Sequence, residues 1–130
     1  MKILLFGANG QLGTDLVKVL ISQRHELVIL THKDVEVTDP VACKNSVAQH
    51  KPEIVINTTA YHVVDHCEDN PLQPFLVNVC AIKHLVTLCN EHNSVLVHFS
   101  TDYVFDGTKK TPYTENDVPN PLSVYGMSKF

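Results

Sequence analysis

The first segment of the chain, Lys2 to Gly13, reads KILLFGANGQLG and constrains the fold more than any other. The apolar run Ile3 to Phe6 leads directly into Gly7 and Gly10, and Gly13 follows three residues later. This pattern predicts a buried strand, a tight turn and the start of a helix, whose N–H groups and positive dipole end can bind a pyrophosphate. The spacing G-x-x-G-x-x-G is one residue longer than the dinucleotide fingerprint G-x-G-x-x-G. A purely structural turn is therefore the alternative interpretation.

Strands and helices alternate along the rest of the chain. Apolar residues at helical spacing predict a helix from Gln11 to about Gln23, and Thr38-Asp39-Pro40 is a typical helix start. Pro71 and Pro74 mark the start of a longer helix. Short apolar runs predict three further strands, at Glu26–Leu30, Ile54–Ile56 and Ser94–Phe99. One side of the longer helix is predicted to carry Val79, Ile82, Leu85, Val86 and Cys89.

This alternation predicts an α/β fold with a doubly wound parallel sheet and helices on both faces. The expected domain is a Rossmann-like NAD(P)-binding domain over residues 1–130.

Composition excludes several classes of partner. A net charge of -4 gives no basic surface for nucleic acid, and no uninterrupted apolar run reaches the roughly 18 residues of a membrane span. The four cysteines form no C-x-x-C pair, which favours reduced thiols in a cytoplasmic protein. His62 and His66 lie four residues apart, but without a predicted helix there we expect no metal site.

The residues after the second predicted strand bear on the choice of cofactor. An Asp or Glu at this position usually binds the ribose 2′-hydroxyl of NAD. Here the sequence is Thr31-His32-Lys33, a hydroxyl followed by two basic groups. The sequence therefore permits NADP or NAD, and we favour NADPH. The alternative is that His32 and Lys33 are only solvated loop residues.

Two residues near the end of the chain could move a proton. Ser123 is a plausible cap for a helix in which Tyr125 and Lys129 lie on one face, four residues apart. An ammonium group near a phenol stabilises the phenolate, so such a pair can exchange a proton with a substrate oxygen. A hydroxyl from Ser100 or Thr101 could polarise the same carbonyl. By itself the Y-x-x-x-K spacing is common on helix surfaces.

Three longer stretches carry a family resemblance: GANGQLG, PEIVINTTAYHVVDHCEDNP and VHFSTDYVFDGTKKTPYTENDVPNPLSVYGMSK. In these stretches the chain resembles the extended branch of the short-chain dehydrogenase/reductase superfamily, and within it the dTDP-4-dehydrorhamnose reductases. The resemblance covers nearly every residue except the segment from Arg24 to Glu36. Thr58-Thr59 stands where the family usually has two alanines, and Ala81 where it often has glycine.

The resemblance implies roles for individual residues. Thr101, Tyr125 and Lys129 would be catalytic, with Tyr125 the proton donor and Lys129 also holding the nicotinamide ribose. Thr101 and Asp102 would contact the sugar. With the residues inferred above, the predicted cofactor-binding set is Gly7, Gly10, Gln11, Leu12, Gly13, Thr31, Glu36, Val37, Ala60, Tyr61, His62, Tyr125 and Lys129.

The implied reaction is the NAD(P)H-dependent reduction of dTDP-4-dehydro-L-rhamnose to dTDP-L-rhamnose, in nucleotide-sugar biosynthesis. Because such enzymes extend well beyond the Tyr-Lys helix, we expect an N-terminal portion without the C-terminal substrate domain, inactive alone. The free edge of the fourth strand leaves a homodimer open. The alternatives are a non-catalytic NADP-binding regulatory subunit, resembling methionine adenosyltransferase subunit beta, and another nucleotide-sugar epimerase or dehydratase. The loop TTAYHVVDHCED favours the reductase over the regulatory subunit, and STDYVFDG favours it over an epimerase or dehydratase.

Overall fold

The computed structural model describes all residues from 1 to 130, and four of its segments form one parallel sheet. The order in the sheet is β2-β1-β3-β4. The strands are β1 (Lys2–Phe6), β2 (Glu26–Leu30), β3 (Ile54–Asn57) and β4 (Val95–His98). Phe6 is in register with Leu30 and Asn57, and Asn57 with His98. The carboxyl ends of all four strands therefore meet at one edge, which confirms the predicted doubly wound α/β class.

Six α-helices accompany the sheet. They are α1 (Gln11–Ser22), α2 (Pro40–His50), α3 (Val64–Asp69), α4 (Leu72–Phe75), α5 (Ala81–Glu91) and α6 (Val124–Lys129). A π-helical turn, Leu76–Cys80, joins α4 to α5, and Asp102–Val104 forms a 3₁₀ turn. Neither α3 nor the 3₁₀ turn was predicted, because these short polar segments show no apolar periodicity.

The chain divides into two compact units, which are described separately. The sheet unit comprises Met1–Thr59 and Cys80–Phe99, and the helical unit comprises Ala60–Val79 and Ser100–Phe130. All four strands, α1, α2 and α5 belong to the sheet unit. The helical unit contains α3, α4, the 3₁₀ turn and α6.

Both faces of β1 are buried in the sheet unit. Ile3 and Leu5 share one face with Ile56, and three residues of α1 pack against this cluster, Leu16, Val17 and Leu20. Leu4 and Phe6 point to the opposite face and are as fully buried. On α2 and α5, which contact each other, the buried residues are Cys43, Ser46, Val47, Ala81, Leu85, Leu88 and Cys89. Burial on both faces explains why β1 is an unbroken apolar run.

The predicted buried side of the longer helix is only partly correct. Leu85 and Cys89 are buried, whereas Val86 is 44% exposed and Val79 is 39% exposed. Val79 lies in the π-helical turn, whose wider winding rotates the residues before it out of the α-helical register of α5.

One stretch, Leu72–Glu91, is long and apolar enough to cross a membrane by length and composition alone, with a mean hydropathy of 1.4. Core helices of soluble proteins pass the same test. Leu85 and Leu88 on this stretch are buried within the sheet unit, and 33% of its most apolar window is buried inside the structure.

All four cysteines are free thiols. Cys43, Cys67 and Cys89 are buried, and Cys80 is exposed. Burial, helped by the charges of Asp39 and Glu36, raises the pKa of the Cys43 thiol to about 11. This thiol is therefore protonated at neutral pH.

Candidate functional site

In the sheet unit, the glycine-rich turn is fixed by the strand beside it. The N–H groups of Gly7 and Ala8 both donate to the carbonyl of Leu30, at 3.0 and 3.1 Å. Gly7 has a φ of +77°, a left-handed conformation that side chains rarely adopt, and its carbonyl accepts from the Gly10 N–H at 3.0 Å. The turn is therefore held at its start and closed on itself before α1 begins.

The first turn of α1 offers uncapped backbone donors. Gly10 is the N-cap, no side chain caps the helix, and the first turn carries no acidic residue. The N–H groups that start a helix have no partner within it, and the helix dipole adds positive potential there. An open depression of about 510 Å³ lies over this turn, lined by Asn9, Gly10, Gln11, Thr14 and Asp15. A Cβ on Gly10 would meet only the Gly7 carbonyl, at 3.3 Å. This geometry suits a pyrophosphate.

The residues predicted to contact adenosine follow β2. Thr31 and Glu36 are half-buried and Val37 is buried. The Glu36 carboxylate lies 2.7 Å from Nδ1 of His32 and accepts from the hydroxyl of Thr38 at 3.2 Å. One of the two basic groups that favoured NADPH is thus paired with a carboxylate.

The loop after β3 begins with a buried amide. Asn57 is fully buried, and its Oδ1 accepts from the N–H and the hydroxyl of Thr59 at 3.1 and 2.7 Å. Its Nδ2 lies 3.3 Å from Nδ1 of His98. The hydroxyl of Thr58 lies within donating distance of the carbonyls of Phe6 and Gly7, at 2.8 and 3.0 Å. The Thr-Thr pair therefore ties this loop to the glycine-rich turn.

In the helical unit, Asn78 holds the next part of this loop. Its Oδ1 accepts from the Tyr61 N–H, and its Nδ2 donates to the Tyr61 carbonyl, both at 2.9 Å. Nδ2 also donates to Oγ of Ser128 at 2.9 Å, and Ser128 donates to the carbonyl of Tyr125 at 2.8 Å. Asn78 is only 4% exposed. This network, Tyr61–Asn78–Ser128–Tyr125, fixes one segment of the predicted cofactor set to the predicted catalytic helix.

The start of α6 is capped from two directions. Oγ of Ser123 accepts from the Gly126 N–H at 3.0 Å, as the sequence predicted. A carboxylate oxygen of Glu68, on α3, accepts from the Val124 N–H at 2.7 Å. These caps satisfy two of the helix's free donors and place a negative charge at its positive end. A six-residue helix is thereby fixed at its start.

Tyr125 and Lys129 lie one turn apart on α6 and are both half-buried. The ring of Tyr103 meets that of Tyr125 edge-on, with centroids 5.6 Å apart. The hydroxyl of Ser100 donates to the Lys129 carbonyl at 3.0 Å. Burial lowers the pKa of the Lys129 amine. The segment with Ser100 and Tyr103 is thus attached to α6 at both predicted proton-transfer residues.

Thr101 and Asp102 lie in that same segment. The Thr101 hydroxyl oxygen accepts from the Tyr103 N–H at 3.3 Å and can donate to the Asp102 carboxylate at 3.2 Å. Further on, the Asp106 carboxylate accepts from the side chains of Thr108, Tyr113 and Asn120, which holds its pKa well below the usual range. Asp106 therefore organises the loop that leads to α6.

The predicted site residues thus divide between the units. The sheet unit carries Gly7, Gly10, Gln11, Leu12, Gly13, Thr31, Glu36 and Val37, and the helical unit carries Ala60, Tyr61, His62, Thr101, Asp102, Tyr125 and Lys129. Sequence reasoning missed Asn78, Ser128 and Glu68. An asparagine inside the apolar stretch LVNVCA was the one available signal for a buried polar role. No group of three or more His, Cys, Asp or Glu side chains could hold a metal ion.

Comparison with known proteins gives consistent matches over the whole chain. The family model described as the RmlD substrate binding domain matches residues 1–130. The dTDP-4-dehydrorhamnose reductase of Aggregatibacter actinomycetemcomitans is 39% identical over 98% of this chain and 44% of its own length. A crystal structure of the Clostridium acetobutylicum dTDP-4-dehydrorhamnose reductase is 39% identical, with a TM-score of 0.95 over 99% of this chain and 46% of that one.

A second solved structure was determined with a ligand. The dTDP-4-dehydrorhamnose reductase of Bacillus anthracis, in complex with NADP, is 30% identical, with a TM-score of 0.94 over 99% of this chain and 47% of that one. The chain spans less than half the length of each of these relatives. The match of the family model nonetheless extends from the first residue to the last. The chain therefore belongs to the family whose model is described as the RmlD substrate binding domain.

Proposed function

We propose that this chain is the cofactor-binding portion of a cytoplasmic reductase that converts dTDP-4-dehydro-L-rhamnose to dTDP-L-rhamnose with NADPH or NADH. The observation that carries the proposal is the pairing of Tyr125 with Lys129, one turn apart on a doubly capped helix. Its relatives are more than twice as long. We therefore expect that most of the sugar-binding residues lie in the rest of such an enzyme, and that these 130 residues alone show no turnover.

The residues present fit a dinucleotide. Gly10 and the uncapped N–H groups of Gln11, Leu12 and Gly13 would hold the pyrophosphate. Thr31, Glu36 and Val37 would lie along the adenosine, and Ala60, Tyr61 and His62 would follow the cofactor further along. The NADP complex of the Bacillus anthracis relative supports this assignment.

The chemistry that the chain itself supplies is proton transfer. A reduced nicotinamide supplies the hydride, and charge then develops on the carbonyl oxygen of the sugar. The Tyr125 phenol would give this oxygen its proton, while the Lys129 ammonium would stabilise the resulting phenolate. The Thr101 hydroxyl would donate a hydrogen bond to the same oxygen. Lys129 would also hold the nicotinamide ribose.

Neither alternative gains support from the relatives. Those described above are named as reductases, and none of them points to a non-catalytic regulatory subunit. The stretch STDYVFDG in the sequence also favours a reductase over an epimerase or dehydratase. A homodimer stays a prediction, because β4 is an edge strand with Val95 and Val97 exposed.

Cofactor binding is expected to stabilise the 130-residue chain. At a concentration 100 times its Kd, NADPH or NADH should raise the free energy of unfolding by about 2.7 kcal/mol. The measurement is the midpoint of thermal unfolding with and without millimolar cofactor. The matched control is Gly10→Glu, which places a carboxylate among the pyrophosphate donors, with its Cβ in close contact, 3.3 Å, with the Gly7 carbonyl oxygen. Protection should vanish in this variant, and a wild-type chain without protection contradicts the proposal.

Replacement of Tyr125 by phenylalanine tests the proton donor in an active reductase that contains this sequence. We expect kcat to fall by about 100-fold or more, because general acid catalysis is lost. Phenylalanine keeps the ring contact with Tyr103, so the Kd of the cofactor should change much less than kcat does. Tyr103→Phe is the matched control and should keep most of the activity. Full turnover in Tyr125→Phe would assign the proton to another group.

A further inference from the structure

The residue that follows β2 in sequence is Thr31, which has no carboxylate. An acidic side chain nevertheless lies beside this end of the strand. The chain turns immediately after β2, and the Asp34 N–H donates to the Thr31 carbonyl at 3.0 Å. The Asp34 carboxylate is thereby directed back to Thr31. Its Oδ2 accepts from the Thr31 N–H at 2.8 Å and from the Thr31 hydroxyl at 2.6 Å. The sequence has no acidic residue directly after β2, but the fold brings the Asp34 carboxylate to this position.

The carboxylate of Asp34 is held in place by hydrogen bonds to one of its two oxygen atoms, which leaves the other oxygen able to accept. Both hydrogen bonds from Thr31 go to Oδ2, so Oδ1 keeps its lone pairs for another donor. The side chain is exposed to solvent. The bonds from the Thr31 hydroxyl and N–H lower the pKa of Asp34, so the group is ionised at neutral pH. Asp34 is thus an oriented acceptor with one free oxygen.

The position of this acceptor relative to the glycine-rich turn matches a ribose-binding acid. The Leu30 carbonyl, one residue before Thr31, accepts from the N–H groups of Gly7 and Ala8. In dinucleotide-binding folds the acid that takes the ribose 2′-hydroxyl follows the glycine motif by about 20 residues. Asp34 lies at about that spacing from Gly13.

The charges around Asp34 do not favour a 2′-phosphate. His32 is paired with Glu36 at 2.7 Å, which leaves Lys33 as the exposed cation of this turn. A phosphate carries between one and two negative charges at neutral pH and would meet the Asp34 carboxylate at the strand end. The Thr31 N–H and hydroxyl, which could otherwise donate to it, are already bonded to Asp34.

We propose that Asp34 determines cofactor specificity in this chain: its free oxygen accepts the ribose 2′-hydroxyl of NADH, and its charge disfavours the 2′-phosphate of NADPH. This inference rests on the proposed dinucleotide site and reverses the preference for NADPH that the basic residues alone suggested. Thr31 acts through Asp34, as the donor that orients its carboxylate.

The test is a titration of the 130-residue chain with NADH and with NADPH, followed by the fluorescence of the reduced nicotinamide. The wild type should bind NADH more tightly. Asp34→Asn keeps the shape and removes the charge, and should shift the ratio of the two Kd values towards NADPH by roughly fivefold to tenfold. The shift should shrink in high salt. The matched control is Glu26→Gln, which removes a negative charge from the other end of β2 and should leave the ratio unchanged.

The outcomes separate this inference from the proposed function. Binding of both cofactors with the same ratio in wild type, Asp34→Asn and Asp34→Ala would overturn the role of Asp34 and leave the dinucleotide site standing. A wild type that binds neither cofactor would overturn both. A shift in Asp34→Asn that Glu26→Gln does not reproduce supports the assignment.

Discussion

Replacement of Gly13 by alanine is expected to lower the free energy of unfolding by about 4 kcal/mol, a severe effect for a single methyl group. A Cβ at this position would lie 2.3 Å from the Gly7 carbonyl oxygen and 2.8 Å from the Cα of Ala8. Both atoms belong to the backbone, so no side chain can rotate away. Alanine normally favours a helix over glycine by about 1 kcal/mol, and the steric overlap has to outweigh that gain.

The backbone opposite Gly13 cannot yield cheaply. The Gly7 N–H donates to the Leu30 carbonyl, and the Gly7 carbonyl accepts from Gly10. The hydroxyl of Thr58 approaches that same carbonyl at 3.0 Å. Movement of Gly7 would therefore disturb the contacts to β2 and to the loop after β3 together. Because α1 starts from this turn, the proposed pyrophosphate site should be lost along with stability.

Denaturant unfolding of three variants measures this effect. Gly10→Ala places its Cβ 3.3 Å from one atom, and Gly107→Ala has no neighbour within 4 Å but keeps a φ of +73°. Each control should cost about 1 kcal/mol, since only a slight contact or backbone strain is involved. If the free energy of unfolding of Gly13→Ala lies within about 0.5 kcal/mol of the wild-type value, α1 does not pack closely enough on the turn for a Cβ to overlap the backbone.

The sequence predicted the sheet unit well because its local and global signals agree. The apolar run Ile3–Phe6 is buried on both faces, and the glycines after it lie where a turn and a close helix approach require them. Asp39 caps α2 through the N–H groups of Val41 and Ala42, as the Thr-Asp-Pro signal indicated. In each case a residue interacts with its neighbours in sequence, so a sequence pattern can predict the interaction.

The features that sequence reasoning missed depend on contacts between distant residues. Glu68 caps α6 from 56 residues away, and Asn78 reaches Ser128 across 50 residues. The π-helical turn that places Asn78 also displaces Val79 from the side on which α-helical spacing put it. The position of Asp34 was not predicted for a related reason. The turn after β2 brings its carboxylate back to Thr31, and the order of residues alone does not reveal this.

Replacement of Asn78 by leucine is expected to lower the free energy of unfolding by about 3 to 5 kcal/mol. Leucine has a similar volume but leaves the N–H and the carbonyl of the half-buried Tyr61 without their partners, next to a buried side chain. Each unsatisfied buried group costs about 1 to 3 kcal/mol. The Ser128 hydroxyl also loses its donor, so the link to the Tyr125 carbonyl weakens.

Chemical denaturation and amide hydrogen exchange together distinguish the loss of this hydrogen-bond network from a loss of side-chain packing. The Tyr61 amide should lose protection in Asn78→Leu, since its only described acceptor is Oδ1 of Asn78. The matched control is Asn90→Leu, the same substitution at an exposed position of α5, which should stay within about 0.5 kcal/mol of the wild type. Ser128→Ala removes two bonds of the network, the one from Nδ2 of Asn78 and the one to the Tyr125 carbonyl, and should cost about 1 to 3 kcal/mol.

The double variant decides whether Asn78 and Ser128 act together. If Nδ2 of Asn78 orders α6 through Ser128, Ser128→Ala should cost little once Asn78 is leucine, so the two effects should be clearly non-additive. In an active reductase containing this sequence, both single variants should lower kcat more than they raise KM, because the backbone at Tyr125 loses its anchor. Additive effects on stability with an unchanged kcat would restrict Asn78 to holding Tyr61.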